Sequence, residues 1–190
     1  FEGRTPLAMA CGLVHNGCVK ALLDGGADPN FKAGEYGRTA MWTLISDSGS
    51  ITARHHTAED ESEIFNMLLK AGLDINDTVD DEANTALILV CDYYRKTALT
   101  EEIINIPCYV NRANRKGKTA LMVAVSQREL REMENIVISL LENGAQTDVC
   151  DPKGNTPRMY APGNSDRNAA RTYAELMMEF GDVKSDSVNN

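Results

Sequence analysis

Apolar residues in this chain come in short bursts, and the bursts come in pairs. Residues 7–11 form the first and residues 19–23 the second, with a glycine-bounded turn over 12–17 between them and Gly25-Gly26-Ala27-Asp28-Pro29-Asn30 after them. Thr5-Pro6 stands where a helix begins. A threonine oxygen accepts from the amides left free at a helix start, and proline fits the first turn because no amide partner is lost there. Glycine after the second burst permits the left-handed backbone that stops a helix. The pattern predicts helix, turn, helix and extended loop.

The same pattern returns down the chain. Gly3-Arg4-Thr5, Gly37-Arg38-Thr39, Ala83-Asn84-Thr85, Gly117-Lys118-Thr119 and Gly154-Asn155-Thr156 each open an apolar stretch, and the threonines fall 34, 46, 34 and 37 residues apart. Residues 64–69 run into Ala71-Gly72-Leu73-Asp74-Ile75-Asn76, and 136–141 into Asn143-Gly144-Ala145-Gln146-Thr147-Asp148; the third pair ends instead at Ile106-Pro107, where proline clashes with a preceding turn. From each stop to the next threonine the count is nine, nine, eight and eight. The connecting loops are therefore constant, and the length variation lies inside the helix pairs. A self-similar period of this size marks a solenoid, whose units bury their cores only against neighbours.

Gly3-Arg4-Thr5-Pro6-Leu7 with Ala10, followed by Leu22-Leu23 and Gly25-Gly26-Ala27-Asp28-Pro29-Asn30, resembles the ankyrin repeat, and the resemblance covers about residues 2–181. It implies an all-α solenoid of stacked antiparallel helix pairs with β-hairpin fingers at the junctions. The units would span 3–36, 37–82, 83–116, 117–153 and 154–181 of a domain over 1–181, with a flexible tail at 182–190. The function it implies is protein binding, through finger tips and the inner-helix face. The chain departs from the family in one respect throughout: the histidine after the leucine of the family's Thr-Pro-Leu-His motif is replaced by Ala8, Trp42, Ile88, Met122 and Met159. Other packing must then fix the register.

The two ends differ. Unit five has Arg158 where an apolar leucine belongs and breaks its first helix at Ala161-Pro162-Gly163; an outward charge suits a solenoid end, so this unit reads as a C-terminal cap. Unit one carries Leu7, Met9, Leu13 and Val14 near its flank. With Phe1 in place of an initiator methionine, the expectation is a piece of a longer chain, with further repeats before Phe1 or a domain on which unit one docks.

Two units are lengthened. Measured against a period of ~33 residues, unit two has about twelve extra around 47–57 and unit four about four within 128–134. Thr57-Ala58-Glu59-Asp60 resembles a helix start with acids in its first turn, so the second helix of unit two should begin early and stand out from the body. Loops that grow are often used, which keeps recognition by this edge open beside a solvated extension.

Charge and cysteine content narrow the partners. With 28 acidic against 19 basic residues, the formal charge of −9 repels phosphate backbones and argues against nucleic acid or anionic membrane. No apolar run is long enough to span a bilayer, so no membrane insertion is expected. Cys11, Cys18, Cys91, Cys108 and Cys150 form no Cys-x-x-Cys pair and are odd in number, which fits a reducing compartment, cytoplasmic or nuclear. Cys11 and Cys91 each follow their threonine by six residues, a place for a small buried side chain, and buried thiols are inert.

No chemistry is assembled. His55-His56 near Glu59 and Glu63 is the one cluster with metal-ligand atoms, but adjacent histidines point different ways on any regular element. Lys116-Gly117-Lys118-Thr119 imitates the end of a phosphate loop, yet Arg112 replaces the required first glycine. The run 74–85 imitates a calcium loop, yet Val79 replaces the turn glycine and Thr85 the bidentate glutamate. No triad or carboxylate pair can be drawn from the remaining residues. Neither enzyme, metal nor cofactor is expected.

The candidate surface is the row of fingers. Finger one offers Phe31, Glu35, Tyr36 and Arg38, types that include interface anchors. Finger two is acidic, with Asp81 and Glu82; finger three is basic, with Arg115, Lys116 and Lys118. The opposed charges either answer one another across the junction as screened pairs or form a bipolar strip that orients a partner. By resemblance, the variable inner-helix positions carry over to Gly12 and Leu13, Ser46 and Asp47, Asp92 and Tyr93, and Ser126 and Gln127. Tyr93 is either an anchor or a packing residue, and Trp42 reads as packing. The resemblance also brings in hydroxylation at Asn76, since Leu68-Leu69-x-x-Gly72-Leu73-Asp74-Ile75-Asn76 is similar to the sequence around the modified asparagine of some ankyrin domains; turn chemistry favours an asparagine bonding its own loop. The expected function is a scaffold binding a protein or peptide. The alternative is a docking or regulatory segment of a larger enzyme, channel or assembly, packed through unit one.

Overall fold

A computed structural model describes residues 3–47, 57–93, 97–127 and 130–161, together with 175 and 178. Four of the recurring threonines cap a helix start. Thr5 accepts from the Ala8 amide at 3.0 Å ahead of α1 (Pro6–Gly12), and Thr39 from Trp42 at 3.2 Å ahead of α3 (Ala40–Asp47). Thr85 does so for α5 (Ala86–Asp92) and Thr119 for α7 (Ala120–Ser126). Thr156 precedes α9 (Pro157–Tyr160) without a side-chain bond. Each bond satisfies a donor that the helix cannot, worth about 1 kcal/mol per cap. The glycine two residues earlier has a second role: Gly3, Gly37, Gly117 and Gly154 all take positive φ, and Ala83, at the same place, is held at φ 58°.

These short helices form an inner row. The outer row is α2 (Asn16–Asp24), α4 (Ala58–Lys70), α6 (Thr97–Ile104) and α8 (Leu130–Glu142). Along the inner row α1, α3, α5, α7 and α9 pack in series, and along the outer row α2, α4, α6 and α8 do the same. One apolar core runs between the rows, through Leu7, Met41, Leu44, Phe65, Leu68, Leu87, Leu121 and Leu140. Cys11 and Cys91 are fully buried in it; burial pushes the Cys11 thiol up to about 12 and the Cys91 thiol higher still. Neither forms thiolate near neutral pH.

Register is fixed in three ways that replace the missing histidine. Apolar packing serves at Ala8, Ile88 and Met122, all buried, while Trp42 is half-buried and Met159 exposed. The buried Thr43 hydroxyl reaches the Ala8 carbonyl of the preceding unit at 2.8 Å. Most regular is a ladder of asparagines in the extended loops, each bonded to the loop of the next unit. Asn30 donates to the Gly72 carbonyl and accepts from the Asp74 amide, both at 2.8 Å. Asn76 accepts from the Tyr109 amide at 2.7 Å, and Asn111 bonds the Gly144 carbonyl and the Gln146 amide at 2.9 and 2.8 Å. The Asn76 side chain thus joins two units, and its own loop is held by its main-chain amide, which donates to Asp74.

The lengthened α4 starts as its sequence suggests. Thr57 and Asp60 form a capping box, with Glu59, Asp60 and Glu61 in the first turn. The helix does not stand clear of the body, however. Glu61 is buried, the Ser62 hydroxyl donates to the Glu102 carboxylate, and Asn16 donates to Glu63. The extra turn is drawn in because both outer neighbours supply polar partners. The insertion before it, with His55 and His56, lies outside the described residues.

Candidate interaction surface

The expected hairpins are reduced to their turns. Finger one has one antiparallel bridge, Ala33 with Arg38, and finger two one, Thr78 with Thr85. Fingers three and four close by two main-chain bonds each: the Asn114 amide donates to the Lys118 carbonyl at 3.0 Å and Gly117 to Asn114 at 2.9 Å, and Asp151 donates to Asn155 at 3.0 Å and Gly154 to Asp151 at 2.9 Å. A short side chain five residues before the threonine holds each of the last three turns. Asp80 accepts from the Asn84 amide at 3.0 Å, Asn114 from Lys118 at 3.0 Å, and Asp151 from Asn155 at 2.8 Å. This recurring Asp, Asn, Asp was readable in the sequence as a turn former.

Neighbouring fingers are stitched by main-chain bonds. The Asp81 amide donates to the Tyr36 carbonyl and the Arg115 amide to the Glu82 carbonyl, each at 2.9 Å. Asn114 adds a side-chain bond to Asn84 at 2.8 Å. At the matching donor position finger four has Pro152, which has no amide hydrogen. It packs instead on finger three, so closely that a Cβ on Gly117 would lie 2.3 Å from its Cδ.

Opposed charges do meet across the junctions. Lys116 bonds both carboxylate oxygens of Glu82, at 2.7 and 2.8 Å, and Lys32 bonds Asp77 at 2.9 Å. The ammonium of Lys32 holds the Asp77 carboxyl below its usual range. Arg4 pairs with Asp47, which also accepts from Ser46. Solvent screens the exposed pairs, so they add little to stability. Asp81, Arg115 and Glu35 remain exposed at the tips.

Two concavities gather most of the remaining candidates. Between units three and four, a cleft of about 140 Å³ has Ile88, Leu89 and Val123 in its lining with Glu82, Lys116 and Lys118. Asp92 and Ser126 belong to the same lining, and Gln127, beyond the end of α7, donates to Asp92 at 3.1 Å. Lys118 lies over the Tyr160 ring at 4.6 Å. The second, wider cleft, of about 530 Å³, lies at finger one and is lined by Arg4, Gly34, Glu35, Tyr36 and Arg38. Arg38 is held flat against Trp42 at 3.9 Å and near Tyr36 at 5.0 Å, so Trp42 serves as a platform as well as packing. Tyr36 is half exposed.

Tyr93 lies on the inner face between these clefts, half-buried at the end of α5. Burial, then Asp92 and Asp47, push its hydroxyl above the usual phenol range, while Arg38 opposes them. Its ring packs against the core from this position. Phe31 lies away from this face, exposed beside Leu22 and Ala27 in an apolar cleft on unit one. The contributions of Arg4, Asn84, Asn114 and Tyr160 were not legible beforehand, since each depends on a partner 30 or more residues away or on the last turn's own fold,.

Among the described residues, no group of three or more His, Cys, Asp or Glu could hold a metal ion, and no helix is long and apolar enough to cross a membrane. The architecture is that of a helix-pair solenoid with a stitched row of fingers. The chain belongs to the ankyrin-repeat family: a model for three ankyrin repeats matches residues 53–151 and one for a single repeat matches residues 2–33. It is similar to YahD of Escherichia coli (strain K12), described as an ankyrin repeat protein, with 26% identity over 157 residues covering 82% of this chain and 71% of YahD. Ankyrin repeats are in general protein–protein interaction modules and typically not enzymes.

Proposed function

We propose that this chain is a non-enzymatic scaffold that holds a protein or peptide partner along its concave side, through fingers one to three and the adjoining inner helices. One observation carries the reading: Glu82, Asp92, Lys116, Lys118 and Ser126, drawn from two fingers and two helices, line one mainly polar cleft over the buried Ile88, Leu89 and Val123. Charged groups gathered around a concavity orient a partner, setting register and on-rate more than affinity. Tyr36 and Arg38 supply a second anchor point of the types enriched in hot spots. The charge of −9 favours a partner that is not polyanionic. Asn76 is a candidate for hydroxylation only if its bond to the Tyr109 amide opens; intact mass from a eukaryotic host tests this, and an unmodified mass rules it out.

The test is affinity capture with the full chain, identification of the bound protein by mass spectrometry, and titration of that protein against variants. Tyr36→Ala and Lys118→Ala should each weaken binding about tenfold, of the size of a hot-spot loss, with unchanged unfolding midpoints. A partner whose affinity ignores both changes overturns the reading.

A further inference from the structure

The charges of the concave side do not all cancel. Four of its carboxylates are engaged within the chain: Asp47 by Arg4, Asp80 by the amide and side chain of Asn84, Glu82 by Lys116, and Asp92 by Gln127. Two cations at the finger bases, Arg38 and Lys118, meet no carboxylate among the described residues. Both precede a capping threonine, so they hold the same register in units two and four. With 28 acidic against 19 basic residues, acids are not in short supply. Glu35 even lines the same cleft as Arg38 without pairing with it.

Each cation rests on an aromatic ring instead. Arg38 lies 3.9 Å from the Trp42 centroid and 5.0 Å from that of Tyr36, and Lys118 lies 4.6 Å from that of Tyr160. A guanidinium lying on a ring keeps its N–H donors in its own plane, oriented and free for a carboxylate. Lys118 presents a point charge. Both side chains are half-buried, so part of the desolvation and ordering that binding demands is already met.

Asp92 and Tyr93 lie between the two cations. Lys118 and Asp92 line one cleft, and Arg38 is close enough to Tyr93 to oppose the acids around its hydroxyl. The inner helices α3, α5 and α7 pack in series. Packed helices lie about 8–10 Å apart, which sets the two cations about 16–20 Å from one another. An extended chain advances about 3.3 Å per residue and covers that span in about six residues, with both end side chains on one face. A helix, about 10–12 Å across, is too wide for the cleft of about 140 Å³ beside Lys118.

We infer that Arg38 and Lys118 read a pair of carboxylates about six residues apart in an extended segment of the partner. Arg38 takes its carboxylate through the bidentate fork and fixes the direction of the segment, while Lys118 tolerates displacement. The residues between the two acids are uncharged, because Glu82 and Asp92 face them and repel further acids. The inference rests on the scaffold reading and narrows it: a chain of charge −9 repels a polyanion, but two isolated carboxylates meet two waiting cations.

The probe is a displayed library of random peptides about twelve residues long, twice the span required, selected on the full chain. Recovered peptides should share two Asp or Glu residues about six apart. Their binding should change the fluorescence of Trp42, the sole tryptophan. Replacing either acid of a recovered peptide by its amide should weaken binding about tenfold, and so should Arg38→Gln or Lys118→Gln. The peptide changes do not depend on how a variant folds. Arg38→Gln should also remove the Trp42 response, and Arg38→Lys should recover only part of the affinity, since the charge returns without the fork. Peptides that lose binding in Tyr36→Ala but carry no such acid pair overturn the inference and leave the scaffold reading standing. Acid-paired peptides whose affinity ignores both Arg38→Gln and Lys118→Gln overturn it as well. A library that yields no binder overturns the inference and not the scaffold reading, which the captured folded partner decides.

Discussion

The junction where finger four meets unit four and the leading face of unit one are built from the same repeat, yet they end differently. At finger four the polar groups are consumed locally. Buried Asp151 accepts from the Tyr160 hydroxyl at 2.5 Å, the Asn155 amide at 2.8 Å, the Lys153 amide at 2.9 Å and the Asn155 side chain at 3.0 Å. Pro152 supplies a ring where other fingers supply a donor, and Arg158 points outward. At unit one the apolar positions and the junction's polar groups are both presented to solvent. A solenoid unit cannot bury its own faces, so the contrast shows how a junction between units consumes polar groups that, among the described residues, unit one leaves exposed on its leading face.

Substitutions sharpen this contrast, and the largest effect should fall at the closed junction. Gly117→Ala meets Pro152 at 2.3 Å and places a side chain at φ 74°; left-handed strain and overpacking together should lower stability by about 3 kcal/mol. Gly37→Ala, also left-handed but with nothing within 4 Å, should cost about 1 kcal/mol. If denaturant titration shows equal losses for the two, the packing of Pro152 is not what distinguishes the junction.

Next in size is the ladder. Asn111→Ala removes two inter-unit bonds and should cost about 1–3 kcal/mol. Met9→Ser at the open face should stay within about 0.5 kcal/mol, as surface substitutions do. A comparable loss at Met9 would mean that the open face is covered.

Acid titration probes the closed junction by another route. The Tyr160 hydroxyl, with the Asn155 side chain and two main-chain amides, holds the Asp151 carboxyl far below its usual range, against the opposing effect of burial. A carboxyl depressed on folding stabilises the protein above its unfolded pKa, about 3.9, and that contribution is lost as pH falls through the folded value. Stability should therefore decline below about pH 4, and Asp151→Asn should flatten that decline. An unchanged acid limb in Asp151→Asn would sever Asp151 from the acid sensitivity.

The smallest effect is a gain. Ala83 stands at φ 58° where the other fingers have glycine. Ala83→Gly relieves left-handed strain of about 1–2 kcal/mol but loosens the unfolded chain, leaving a net gain below about 1 kcal/mol. A loss, read from the unfolding midpoint, would show that the Ala83 methyl has packing value in its finger.

Most of the fold was legible because its signals are local. The threonine caps depend on a side chain and an amide three residues away, and the motif glycines on one φ angle; both are properties of a few adjacent residues. The capping box of α4 and the burial of Cys11 and Cys91 followed from the same kind of reading. The interaction surface was legible only as a set of neighbours along the chain. Asp47 appears free in the sequence and is paired with Arg4 of the preceding unit; Lys118 appears free and lies over Tyr160. Glu82 and Lys116 could have been a bipolar strip, but they bond each other. A side chain's partner in a solenoid is one repeat away, and which rotamer reaches it is set by how far one unit turns against the next.

The amino-acid sequence alone determined the repeat, its period, the helix starts and stops and the positions of the fingers, because each of these is decided within one turn of backbone. The tertiary structure decided which charges are spent on one another, which apolar positions are sealed and which remain open on unit one. Those outcomes depend on the contact between units, where a distance of a few ångströms separates a bond from an exposed group.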